Sequence, residues 1–476
     1  MIRKSEGDTR SKTKQAAESK KNPVAAFFPA LGENFREIGT TFANGDWKTR
    51  ISYVVMGFGP ILRGQVVKGL AFLAAEILFF LYLIQFGWQY VSKITTLGTV
   101  ATQKIRRKTV YGDNSFLILL FGILTIILIA AFLFVWRMNV RENMIEELRL
   151  KEGKALPTNR KALHSLLDEH FDKTLLALPT LGIFIFTVLP IIFMVCVAFT
   201  NYDKEHQSPT NLFTWVGLEN FKNLFSFGSS GFGNTFLTVL GWTLVWAFFA
   251  TFIDYFLGLA VAMLINKKGI RFKKLWRTIL VLTIAVPQFV SLLYITKLFA
   301  VDGFINGFLM SHHLVSSPIP FWTNPSLARV MIIVVNIWIG IPYLMLIATG
   351  LLMNIPEDLY ESARIDGANS VQMFFNITLP YMLFVTGPFL LTQFTGNLNN
   401  FNVIYLLTQG KPLSTKLTGN AGSTDLLVTW LYKMTVTDTN YKMAAVIGIM
   451  VFLVTAVISL TVYNMLPSVK DEEGFQ

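Results

Sequence analysis

The sequence predicts an all-α, polytopic membrane protein with eight transmembrane helices. Three observations carry that expectation. Hydrophobic residues make up 53% of the 476 positions and charged residues only 15%, whereas a soluble domain carries about 25% charge. The apolar residues gather into runs of about 20, the length that crosses a bilayer as a helix. Lys and Arg concentrate in particular loops between those runs, as they do on the inner side of membrane proteins. Leaving so much apolar surface in water would cost about 25 cal/mol per Å². Composition therefore excludes an ordinary soluble enzyme, a disordered chain and a fibrous protein.

The net charge is +12, from 41 Lys+Arg against 29 Asp+Glu. In a membrane protein such an excess belongs to inner loops, so it does not imply nucleic acid. The single cysteine, Cys196, lies inside an apolar run. It excludes a disulfide within the chain and a cysteine-based metal site, and reads as a packing residue.

The first 21 residues are polar and basic, without the apolar stretch of a signal peptide. They are expected to form a cytoplasmic tail. Residues 31–63 mix aromatic and charged positions (Phe35, Phe42, Trp47, Tyr53) and read as amphipathic helices at the inner interface. The apolar runs then fall at 66–86, 116–136, 175–199, 237–265, 278–300, 329–352, 382–401 and 443–466. Pro179, Pro190, Pro287, Pro342 and Pro388 lie inside them and predict kinks. Between the second and third runs, residues 140–172 alternate charge and Leu at helical spacing, as a solvated helical connector would.

Loop charge orients the chain. The segment before the first run is dense in Lys and Arg; loop 137–174 holds eight and loop 266–277 holds six. Loops 200–236 and 301–328 hold two and none. Both termini are thus expected in the cytoplasm. Loop 91–115 runs against this count, because it carries Lys93, Lys104, Arg106, Arg107 and Lys108 on the outer side.

The most informative stretch joins the sixth and seventh runs, from Asn354 to Pro380. Asn354 can cap a helix and Pro356 suits its first turn. Glu357 and Asp358 complement the positive helix N-terminus. Gly367 can take the left-handed conformation that ends the helix. Ser370 can cap a second helix, and Pro380 is expected to stop it. Leu359, Tyr360, Ala363 and Ile365 offer apolar surface beside Glu361 and Asp366. Two short helices at a sharp turn suit docking to another protein.

These residues resemble the EAA loop of ABC importer permeases: E-A-A, three residues, G, nine residues, then I-x-L-P. Glu361-Ser362-Ala363, Gly367, Ile377 and Leu379-Pro380 fall at those spacings, with Ser in place of the middle Ala. The segments Val335–Tyr343, Ala285–Pro287, Asn399–Phe401, Leu406–Thr408 and Thr424–Val428 resemble the larger permease of maltose-type importers. The likeness covers roughly residues 170–470. It implies a type I ABC importer permease fold, with residues 1–65 as tail and interfacial helices, 66–174 as two N-terminal spans with their connector, and 175–470 as the permease core.

The same resemblance implies that Glu361, Ala363, Asp366 and Gly367 couple the spans to a cytoplasmic ATPase. The implied partners are a second permease, two copies of that ATPase, an extracellular sugar-binding protein and an oligosaccharide. The chain has no G-x-x-x-x-G-K-[ST]. No cofactor is therefore expected in it, and ATP with Mg²⁺ is expected on the partner ATPase subunits. The substrate positions implied are Ile339, Gly340 and Tyr343 in the sixth run and Gln393, Gly396, Asn397 and Asn400 in the seventh. Gln393 and Gly396 depart from the family's usual residue types, which bears on pocket shape. The short loop 200–236 stands where the enteric family member carries a large folded domain.

Taken alone, the Asn and Gln side chains also fit interhelical hydrogen bonding, worth about 0.6 kcal/mol each. Glu76, Asp254 and Lys297 lie in or near apolar runs, and an ion- or proton-coupled carrier is the alternative function. No ladder of acids or histidines joins them. His164, His170, His206, His312 and His313 fall in loops without metal-ligand spacing. No nucleophile or metal motif supports a membrane-embedded enzyme.

Overall fold

The computed structural model describes residues 36–105, 108–169, 171–228, 231–267, 269–466 and 468. The expectations for the N-terminal tail, for residues 31–35 and for His170 lie outside these residues. Among the described residues, seven helices are long and apolar enough to cross a membrane: Val66–Val91, Ser115–Lys151, Phe171–Val197, Gly233–Asn266, Pro325–Leu352, Ser370–Leu398 and Tyr441–Met465. The pair Lys273–Ala285 and Gln288–Leu298 makes an eighth if it is counted as one span. Counted so, each of the eight expected runs corresponds to a helix or a bent helix pair.

The fifth span departs from expectation, because it bends by 90° between its halves. Proline disfavours helical geometry in the residue before it. Val286 is accordingly extended (φ −78°, ψ 124°), and Pro287 starts the second half. Pro342 and Pro388, where kinks were expected, behave differently: the helices Pro325–Leu352 and Leu379–Leu398 pass through them uninterrupted. Pro380 likewise fails to stop its helix. A π-turn, Phe374–Thr378, precedes it and shifts the hydrogen-bond register where the proline lacks an N–H. Phe184–Val188 does the same ahead of Pro190.

The chain divides into two compact units, residues 1–193 with 208–212, and residues 194–207 with 213–476. In the first, span two continues past the expected end at 136 to Lys151, as one helix of 37 residues. Its extension was expected to be solvated, yet Asn139, Asn143, Glu146 and Glu147 are buried. They hold the preceding segment, with its short helices Trp47–Ile51 and Phe58–Leu62. Asn139 donates to the Ser52 carbonyl at 2.8 Å and accepts from the Gly57 N–H at 2.9 Å. Thr49 donates to Glu147 at 2.8 Å. Arg63 donates to Asp46 at 2.7 Å and to Asn143 at 2.9 Å, and faces Glu146 and Glu147 at 3.8 and 3.9 Å. The segment read as interfacial is therefore bracketed by polar side chains. Gly57 has φ +80°, and a Cβ there would strike the backbone of Gly69.

Loop 91–115 forms a two-stranded antiparallel hairpin, Gln103–Ile105 with Lys108–Val110. Lys93 pairs with Asp113 at 2.6 Å, so part of its unexplained positive charge is neutralised in place.

The second unit is built on spans four, six and seven. Trp242, Trp246, Ala250, Ile332, Val335 and Leu398 share one buried cluster. Leu259, Met345 and Met382 share another. Loop 200–207 is pinned to the start of span eight, where Lys442 donates to Asp203 at 2.6 Å. Burial pushes the Asp203 carboxyl up, but hydrogen bonds from Lys442 and His206 outweigh it and hold the pKa down to about 2. Among the described residues, no group of His, Cys, Asp and Glu could hold a metal ion.

Replacing Arg63 by Ala leaves a buried carboxylate cluster short of its cation. That is expected to lower stability by about 3–5 kcal/mol. The check is a lower melting temperature for the detergent-purified variant than for the wild type.

Candidate functional site

Two sites were expected, a docking loop and a polar pocket. In the docking loop the helix is Glu357–Ile365. It starts later than Asn354 would have it, because Pro356 is extended (φ −56°, ψ 132°) and itself stands at the cap. Glu357 and Asp358 occupy the first turn as expected. Gly367 has φ +80° and reverses the chain, and the Ala368 N–H reaches the Ala363 carbonyl at 2.8 Å. Asn369, not Ser370, caps the next helix, in a reciprocal box with Gln372. An amide one residue upstream outcompetes the hydroxyl.

Glu361, Asp366 and Gly367 are exposed and Ala363 is half-buried. Leu359 is exposed, and Ile365 is 86% exposed. The Tyr360 hydroxyl meets the Thr378 hydroxyl at 2.8 Å, which ties this helix to the base of span seven. The loop thus offers apolar and anionic side chains on a short helix fixed to a span.

The pocket lies among spans four, six and seven and the break of span five. It is a cavity of about 130 Å³ lined by Ile339, Gly340, Tyr343, Gln393 and Asn397 of the expected set. A neighbouring cavity of about 380 Å³, at the break, shares Gln288, Ile339 and Tyr343 with it. Tyr343 is 49% exposed. Gly396 and Asn400 are not in the lining. Asn400 instead caps the helix Phe401–Leu407 and donates to Asn397 at 3.3 Å. Asn397 donates to the Ala250 carbonyl at 3.1 Å and to the Thr251 hydroxyl at 3.0 Å. Its amide therefore also works as the interhelical tie between spans seven and four.

Four polar lining residues were missing from the expected set: Thr251, Asp254, Gln288 and Asn336. For Asn336 a signal existed. Asn336, Gly340 and Tyr343 follow at i, i+4 and i+7, one face of a helix. Gln288 is placed by the bend at Pro287, which residue spacing alone does not reveal. Asp254 stood out only as an intramembrane acid. Its Oδ2 accepts from the Asn336 amide at 2.9 Å. Gly340 is explained by the same contact: a Cβ there would collide with the Asp254 carboxylate. Lys297 is exposed near the end of its helix, and Glu76 accepts from the Met56 N–H at 2.8 Å.

Residues 254–471 match the family described as binding-protein-dependent transport system inner membrane component. The chain is 36% identical over 427 residues to the galactooligosaccharides transport system permease protein GanP of Bacillus subtilis (strain 168). That alignment covers 88% of this chain and 97% of GanP. It is 34% identical over 434 residues to the maltodextrin permease MdxF of the same organism, covering 90% of this chain and 97% of MdxF.

The chain belongs to this permease family. Its likeness to the maltose/maltodextrin permease MalF of Escherichia coli (strain K12) is 36% over 265 residues, which is 55% of this chain and 50% of MalF. A solved bacterial ABC transporter involved in the import of alginate shares the fold. Its TM-score is 0.52 at 22% identity, covering 65% of this chain and 99% of that one. The permease is thus a multi-pass membrane subunit of an ABC importer, and its role is transport rather than catalysis. Family membership removes the reading as an ion-coupled carrier.

A methyl group at position 340 of the permease must push against Asp254. Gly340→Ala is expected to destabilise by about 1–3 kcal/mol. The expected sign is a lower melting temperature than for a control Gly350→Ala, where a Cβ meets nothing within 4 Å.

Proposed function

We propose that this chain is the larger permease of an ATP-driven importer for maltodextrin-type oligosaccharides. Galactose-based oligosaccharides fall within the same class of neutral cargo. The observation that carries the reading is the place of the docking loop. Residues 354–369 join the two spans, Pro325–Leu352 and Ser370–Leu398, that supply most of the pocket. A force on the loop helix reaches both walls of the pocket through covalent chain.

The partners are a second permease, two copies of a cytoplasmic ATPase and an extracellular sugar-binding protein. ATP with Mg²⁺ binds the ATPase subunits, and the permease itself holds no cofactor. Glu361, Ala363, Asp366 and Gly367 form the contact with the ATPase; the exposed Leu359 and Ile365 support that assignment. ATP binding closes the ATPase pair, the loop helix moves, and the pocket changes access from one side to the other.

The pocket takes the sugar on Ile339, Gly340, Tyr343, Gln393 and Asn397. Asn400 acts through Asn397, and Gly396 leaves space on the same helix. Amides donate and accept hydrogen bonds with hydroxyls, and a tyrosine ring gives an apolar face. Ligand pockets typically span about 300–1,000 Å³. The cavity at the break of span five brings the available space into that range, and the second permease closes the remaining side. The chain sits in the bacterial cell membrane with both termini in the cytoplasm, supported by the even number of spans and by the basic inner loops. Near-full-length likeness to GanP and MdxF supports the short-looped form of the family.

Two measurements test this. In the assembled complex, Glu361→Lys is expected to abolish ATP hydrolysis coupled to the binding protein. Unchanged coupled hydrolysis would remove the docking assignment. Tyr343→Ala with Asn397→Ala is expected to reduce maltodextrin uptake at least tenfold while the complex still assembles, as for loss of about 1.4 kcal/mol or more of binding. Undiminished uptake would remove the pocket assignment.

A further inference from the structure

Asp254 holds a buried polar atom of this pocket to which the fold gives no structural use. The residue is 3% exposed, in span four. Its Oδ2 is fixed by Asn336, whereas Oδ1 is buried and has no hydrogen-bond partner among the described residues. Leaving a buried carboxylate oxygen unpaired is costly, and the cost is met when a ligand supplies the donor. The neighbouring polar groups do not supply it. Asn397 directs both amide hydrogens to span four, at Ala250 and Thr251. No Lys, Arg or His lines the cavity.

The backbone places the group deliberately. A π-turn, Phe249–Ile253, ends immediately before Asp254 and shifts where the following side chain points. Gly340 opposite gives the carboxylate its space. A carboxyl oxygen can accept a hydrogen bond from an O–H, and hydroxyls are what a neutral sugar presents.

We propose that Oδ1 of Asp254 is the hydroxyl acceptor of the pocket, taking one hydrogen bond from a neutral hexose ring while Asn336 holds the other oxygen. Asp254 is then a specificity-determining residue. This rests on the oligosaccharide-importer reading above.

The test uses the permease purified with its second permease and ATPase, without the binding protein, whose own affinity would mask that of the pocket. Equilibrium binding of labelled maltotriose, a labelled galactotriose, their mono-deoxy analogues and an amino-sugar analogue is measured for wild type and Asp254→Asn. The asparagine keeps the volume and can still accept from Asn336, but puts an NH₂ donor where Oδ1 stood. Expected is a loss of about tenfold or more in affinity for the bound trisaccharide, with normal assembly of the complex. One deoxy analogue binds the wild type as weakly as the intact sugar binds the variant, and the variant no longer distinguishes that analogue from the intact sugar. A purely structural role would not produce this pattern. Equal affinity in wild type and variant overturns the proposal and leaves the importer reading standing. Preference of the wild type for the amino sugar overturns it too, because Asp254 would then be a counter-ion. If the wild type binds neither trisaccharide, while uptake by the complete complex is also absent, the importer reading itself fails.

Discussion

A polar side chain inside a bilayer has no water to fall back on, so it must find a partner in the protein or line a cavity. The second unit is organised by that constraint. Asn397 ties span seven to span four through Ala250 and Thr251. Thr386 meets the Tyr255 hydroxyl at 2.9 Å across the same pair of spans. Trp246 donates to the Asn397 carbonyl at 3.1 Å. Asn336 and Asp254 join spans six and four. These contacts bring three helices together around a small polar space, and the apolar clusters on either side exclude water from the rest.

The prolines show how local chemistry and context divide the work. Pro287 lacks the N–H of a normal peptide, and its span breaks there with Val286 extended. Ahead of Pro190 and Pro380 a π-turn absorbs it, so those helices continue. The break of span five opens the larger cavity beside Gln288 and Ser291. The pocket is therefore shaped by one bent span against three continuous ones.

Much of this was legible in the sequence, for definable reasons. The eight spans follow from hydropathy, which bilayer thickness converts directly into helix length. Gly367 was legible because a reversal at a helix end needs a positive φ. The polar extension of span two was misread: charge alternating with Leu looks solvated until residues 46–63 are known to cover it. The cap moved from Ser370 to Asn369, since two good capping residues stood side by side. In the pocket, Ile339, Gly340, Tyr343, Gln393 and Asn397 line one cavity, Asn400 reaches it only through Asn397, and Gly396 lies outside the lining. Asp254, Gln288 and Thr251 belong to the lining only through tertiary geometry, which no spacing along the chain encodes.

The proposed coupling has the docking helix move the two pocket walls, spans six and seven, relative to each other. The short helix is tied to span seven through Tyr360 and Thr378, and spans six and seven continue from either end of its loop. The chain has one cysteine, Cys196, so a Cys196→Ser background allows a spin-label pair at positions 339 and 393. The distance between them would be measured in the assembled complex with and without ATP and vanadate. The labelled distance is expected to change on trapping, and not to change when Glu361→Lys is added. An unchanged distance in the trapped complex without that substitution would contradict the coupling.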